Sequence, residues 1–94
     1  MAEPLHEFAL QLHPTDDVAV VRKPIRAGLS LMNGQGPFEA KQDIPQGHKI
    51  AVHPIAAGAP VRKYGEPIGA ATAPIPAGAH VHIHNLASLR GRRS

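Results

Sequence analysis

The 94-residue chain has no cysteine and no tryptophan, and its only aromatic residues are Phe8, Phe38 and Tyr64. Without thiols there is no disulfide, no thiolate nucleophile and no cysteine-ligated zinc, and cysteine usage says nothing about the redox compartment. With so few rings, the core has to be assembled from Val, Ile, Leu and Ala. A chain of this length buries only about 60 to 65% of its unfolded surface, so it has one modest core and little room for a deep catalytic pocket of its own. Long apolar runs are missing too. The N-terminal "MAEPLHEFALQLHP" has neither a basic leader nor a spanning segment, so no signal peptide and no membrane span are expected and a cytoplasmic location is the default.

A strong charge bias is also absent from most of the chain. The formal net charge is +3, but Arg90, Arg92 and Arg93 account for it, and without them seven basic side chains face seven acidic ones. The tail over residues 87–94 reads as a solvated basic terminus. No aromatics interleave with it to stack bases, so no nucleic-acid partner is expected.

Ten prolines and nine glycines interrupt the chain so often that no helical pattern of useful length survives before residue 86, which excludes an all-helical fold. What remains are short alternating runs: "FALQLH" with Phe8, Leu10 and Leu12 on one side, "DVAVVR", "FEAKQD", "HKIAVH", "IGAATA" and "HVHIH". They predict a mostly β domain of short twisted strands with little or no helix, over residues 1–86. "NLASL" near the end is read as one turn of helix. "NGQGPF" reads as a hairpin turn, and Asp16 and Asp17 as caps on the turn before "VAVV".

Within this pattern, I-x-x-G-x-x followed by an aliphatic residue occurs four times, beginning at Ile25, Ile44, Ile55 and Ile75. Each copy fits an isoleucine carried into the core, a turn in which Gly28, Gly47, Gly58 or Gly78 takes a positive φ, and a following strand. Pro45 and Pro76 sit where a fixed φ starts such a turn. The intervals of 19, 11 and 20 residues are irregular, so the reading is recurring turn chemistry and not a solenoid.

On these residues the chain resembles the SAF domain, a small β-clip fold. The order "DDVAVV", "IPQGHKIAVHPI", "VRKYGEPIGAAT", "IPAGAHVHIHN" looks more specifically like the N-terminal module of the altronate and galactarate dehydratases, the UxaA-type hydro-lyases, over about residues 8 to 86. The family's long enzymes continue into a much larger domain that carries most of the active site. Other relatives, sulfolactate sulfo-lyase among them, are split into a small and a large subunit. The resemblance implies half an enzyme: a module that shares its site with a large catalytic subunit and a sugar-acid substrate, with a homo-oligomer left open. It also implies a divalent metal, Fe2+ first and Mn2+ second.

Dehydrating a sugar acid means taking the proton α to a carboxylate and expelling a β-hydroxyl, and both steps build negative charge. A Lewis-acidic metal and a histidine or lysine tuned toward neutrality answer that need. On a strand, His80, His82 and His84 point the same way at about 6.5 to 7 Å intervals. Two imidazoles leaning together at that spacing can share an ion at about 2.1 Å each. His82 and His84 are the preferred metal pair, with Asn85 following at the strand end and His80 closer to the turn.

His84 is also a catalytic candidate, together with His48 and Lys49, which follow a glycine turn where a carboxylate could be held. Lys49, Lys63 and Tyr64 are the substrate-binding candidates. The plainer readings are a wet polar strand face opposite Val81 and Ile83, a surface Lys49, a solvated Lys63, and a Tyr64 packed on the core to steer the Gly65 turn. His6, His13 and His53 are read as structural. No G-x-S-x-G, phosphate loop or dinucleotide glycine pattern occurs. A non-catalytic SAF module that binds carbohydrate or a protein partner is the alternative function.

Overall fold

The computed structural model describes residues 2–88. Of the basic tail, residues 89–94 lie outside the described residues. The chain is mostly β, and the one helical element among the described residues is a single 3-10 turn over Leu5–Glu7. At the centre is a four-stranded sheet in the order β2 (Ala9–Leu10), β3 (Val18–Val21), β6 (Lys49–Ala51), β9 (His80–Val81), with all neighbours antiparallel.

Alternation along these strands feeds two cores. Ala19, Val21 and Ile50 join Leu5, Ala9, Ile25, Leu31 and Ile44 in one cluster, while Val18, Ala51 and Val81 join Ile55, Val61, Ala71 and Ile75 in the other. Burial on both faces explains why "VAVV" is continuously apolar where a half-exposed strand would alternate. Each core is closed by a small sheet built on a hairpin. One is β4 (Ser30–Asn33) with β5 (Gly36–Glu39), flanked by a parallel β1 (Glu3–Pro4); the other is β7 (Pro60–Lys63) with β8 (Glu66–Ala71), flanked by β10 (Leu86–Ser88).

The two halves are copies. Ile25 and Ile44 exchange backbone hydrogen bonds of 3.0 and 2.8 Å, and Ile55 and Ile75 exchange equivalent bonds of 2.7 and 2.8 Å. The Gly28 N–H donates to the Ala40 carbonyl as Gly58 donates to Ala71, and Gly47 donates to Val21 as Gly78 donates to Ala51. Equivalent positions lie 30 residues apart before the second hairpin and 31 after it. The extra residue is the irregularity in the β7–β8 register at Val61/Arg62. The uneven 19, 11 and 20 spacing of the isoleucines therefore encodes a duplication, in which the long intervals close a unit and the short one links the two units. All four glycines have φ between 81° and 92°.

Several expectations are corrected. "NLASL" is not helical: Leu86–Ser88 forms β10 against β8, which carries paired structure two residues past residue 86. In "FALQLH" the residue turned inward is Ala9, while Leu10 and Leu12 are exposed and Phe8 packs only partly against the first core. "HVHIH" pairs only at His80–Val81, and Ile83 is 85% exposed instead of joining Val81 inside.

Candidate functional site

β6 and β9 each leave one of the glycine turns, Gly47 and Gly78, and run side by side with Lys49 opposite Val81 and Ile50 opposite His80. One step further along that register puts His48 opposite His82. Their rings stack at 4.4 Å between centroids, inclined by 22°. His80 closes the group: its Nε2 lies 2.8 Å from Nδ1 of His48, one nitrogen donating and the other accepting, and its ring is 5.4 Å from that of His82.

Beyond Val81 the chain turns, and Asn85 shapes that turn. Its Oδ1 accepts from the His82 N–H at 2.9 Å and its Nδ2 donates to the His80 carbonyl at 2.8 Å. His80 is anchored again by its own N–H, which donates to Oε1 of Gln42 at 2.9 Å.

The structure thus brings together His48, His80 and His82, whose candidate ligand atoms lie within 4.8 Å of one another. His84 is exposed and stands outside this set, its ring 5.4 Å from that of His80 and tilted by 47°. His80, set aside on the sequence as closer to the turn, is central. Its signal was the parallel placement of "GHK" and "AHVH" after two equivalent I-P-x-G turns.

Three nitrogens at about 2.1 Å from a shared tetrahedral ion stand about 3.4 Å apart, so side-chain rotations that shorten the longest separation by no more than about 1.4 Å close the set. An all-imidazole donor group suits a first-row divalent ion. Two of the three stay neutral readily. His80 and His82 are both held below the ordinary imidazole value of 6.5, first by desolvation and then by His48 and neighbouring cationic groups.

Because the folded state resists protonation that the unfolded chain accepts, this part of the stability is present above pH 6.5 and is lost as pH falls through the lowered folded values. We expect the melting temperature to drop between about pH 7.5 and about pH 5, and to drop less in a His80→Asn variant. Circular dichroism melts across that range check this, and equal losses in the two proteins would contradict it.

Beside the cluster lies a groove of about 340 Å³ lined by Lys49, Lys63, Ile68, His82, Ile83 and Leu86, with Ser88 at its end. Its lining holds two lysines and a histidine but no carboxylate. Lys49 is half-buried, and its ammonium is held below the usual lysine value of 10.5 by desolvation and by the positive charge of Lys63.

Lys63 sits just before the β7–β8 turn, with Nζ 4.7 Å from the centre of the Tyr64 ring. Tyr64 does not pack on the core: it is 51% exposed and has φ of 58°, the one non-glycine positive φ among the described residues.

Asp16 and Asp17 cap this distant hairpin and not the local turn expected for them. The buried Asp16 carboxylate accepts from the N–H groups of Tyr64 (2.9 Å) and Gly65 (2.7 Å), and Asp17 accepts from Arg62 N–H at 2.7 Å. His53, read as structural, pairs with Asp17 at 2.6 Å. His13 bonds Thr15 at 2.8 Å and packs beside Gly65. No helix among the described residues is long and apolar enough to cross a membrane.

Fold and site together define a small duplicated β module that presents imidazoles and ammonium groups at one end of its central sheet. The sequence model of the altronate/galactarate dehydratase SAF domain matches residues 7–89, and the chain belongs to that family. It is 43% identical over 76 residues to altronate dehydratase of Escherichia coli strain K12, which covers 81% of this chain and 15% of that enzyme. The match to altronate dehydratase of Bacillus subtilis strain 168 is 38% over 76 residues, again 15% of that enzyme. With (2R)-sulfolactate sulfo-lyase subunit alpha of Chromohalobacter salexigens it shares 36% identity over 87 residues, which is 84% of this chain and 93% of that subunit. The chain therefore spans about 15% of the dehydratases it matches and nearly all of that alpha subunit.

Proposed function

We propose that this chain is the small module of a metal-dependent lyase that acts on a hydroxy acid, a sugar-acid dehydratase first, and that it works only against a larger catalytic partner. The observation that carries this reading is the juxtaposition of His48, His80 and His82 with the groove of Lys49 and Lys63. The lyase and dehydratase names of its relatives and the need of such an elimination for cationic and proton-carrying groups support it.

His48, His80 and His82 would hold the ion, which when bound supplies Lewis-acid stabilisation to a carboxylate and hydroxyl of the substrate. The protein's own groups divide the remaining work. Lys63 and Lys49 bind the carboxylate as charge-assisted donors. Lys49, whose proton is loosened by burial and by Lys63, is a proton carrier in the groove. His84, exposed at the outer edge, stands on the solvent side of these groups. Ile83, fully out in water at the lip, is the kind of apolar anchor that a partner surface covers.

A chimaera tests this directly. Residues 2–88 replace the matched segment of the E. coli altronate dehydratase, and altronate dehydration is followed with ferrous iron present. We expect activity above that of the enzyme lacking the segment, with a Lys63→Ala chimaera showing KM raised about tenfold and a smaller change in kcat. A chimaera that folds and binds iron yet dehydrates nothing would favour a non-catalytic binding module.

A further inference from the structure

We infer that Asp16 is a positioning residue that holds Lys63 at the groove by clamping the Tyr64–Gly65 turn; this rests on reading the groove as an anion site. Asp16 is the one buried charged side chain among the described residues, 1% exposed. Both of its oxygens go to backbone N–H groups of a turn 48 and 49 residues away in sequence. A carboxylate buried at that depth needs full satisfaction, and two charge-assisted bonds supply it.

What the clamp holds is unusual. Tyr64 occupies a φ of 58°, which glycine adopts freely and a tyrosine adopts at a cost. Its ring contributes little to either core, being half in solvent. The ring stands against Lys63, whose Nζ lies 4.7 Å from its centre, a cation–π distance. Lys63 in turn lines the groove with Lys49 and His82.

A chain of contacts therefore runs from the buried carboxylate through the strained turn and the tyrosine ring to the ammonium. Asp17 steadies the same hairpin two residues earlier, through the Arg62 N–H at 2.7 Å. Glycine at position 64 would relieve the strain but leave Lys63 without the ring that confines it.

Two readouts test this on the intact chain. In the free protein, NMR follows the Lys63 side-chain protons, which the Tyr64 ring shifts upfield, with Tyr64→Ala as the unshifted reference. We expect Asp16→Asn, which places an amide donor against one of two backbone donors, to move these signals to the reference position while the Val18 and Ile50 methyl signals stay in place. Tartrate then serves as the anion probe. Asp16→Asn is expected to weaken its binding about tenfold, as Lys63→Ala does, and the double variant to bind no more weakly than Lys63→Ala alone.

Unchanged Lys63 signals in a folded Asp16→Asn protein would overturn the inference. So would a full additional loss of tartrate affinity on adding Asp16→Asn to Lys63→Ala. If Asp16→Asn fails to fold, Gly65→Ala replaces it. That change strains a φ of 76°, puts a Cβ 3.1 Å from the His13 ring, and displaces the turn with the same expected outcomes. If the wild-type protein binds no tartrate, the anion reading of the groove falls, and the Lys63 signals alone decide the positioning.

Discussion

Alanine at His48, His80 or His82 is expected to reduce affinity for ferrous iron and manganese by more than about 100-fold, while His84→Ala changes it by less than about threefold. The contrast follows from geometry. The first three offer ligand atoms within 4.8 Å of one another, and His84 stands outside them, on the solvent side. Loss of groups that merely orient metal ligands costs about 10- to 100-fold, and removal of one of three imidazole donors exceeds that.

Anaerobic isothermal titration of the four single variants with each metal is the measurement, and the chimaeric enzyme gives the same ranking in dehydration. Asn85→Ala belongs beside them. Asn85 ligates nothing but folds the turn through two side-chain bonds, to His82 N–H and the His80 carbonyl, so its affinity should fall between the two classes. A loss centred on His84 instead would return the site to the strand-face pair expected from alternation and dissolve the three-histidine cluster.

Gly78→Ala should be the most damaging of the four equivalent glycine changes, although its motif and its φ of 87° match the others. At Gly28, Gly47 and Gly58 an added Cβ meets nothing within 4 Å, so alanine costs only the left-handed backbone, about 1 to 2 kcal/mol. At Gly78 the Cβ would lie 2.0 Å from the Glu39 carbonyl oxygen and 2.8 Å from its carbon. The segment leaving β5 crosses there, and the Lys41 N–H donates to the Gly78 carbonyl at 2.9 Å.

Backbone cannot yield as a side-chain tip can, so strain and overlap together are expected to cost about 3 to 5 kcal/mol. In a domain of this size that lowers the melting temperature by about 15 °C or more, against about 5 to 10 °C for Gly58→Ala. Thermal melts of the four variants separate the cases, and four equal losses would show that the turns are as independent as they look in sequence.

Both contrasts lie beyond what the sequence alone states. Glycines in I-x-x-G turns, prolines that start them and runs such as "VAVV" state local preferences, and those preferences are enough for a mostly β chain of short strands, the positive-φ turns and the SAF resemblance. Alternation misled where pairing stopped: "HVHIH" reads as five residues of strand, yet Asn85 bends the chain after Val81. Asp16 and Asp17 read as local caps because a carboxylate's partner 48 residues away leaves no trace in spacing. Tyr64 reads as core because aromatic character says nothing of an exposed turn held by that same carboxylate.

By itself, then, the sequence determined which residues can turn, which can pair and which carry imidazole or ammonium groups, because these are properties of each residue and its near neighbours. Only the tertiary structure decided that His48 meets His80 and His82, that Lys63 shares a groove with Lys49, and that one glycine of four lies under another strand's carbonyl. Those facts depend on strand register and on the fit of two duplicated halves, which arise from burying two cores against one sheet and from no segment alone.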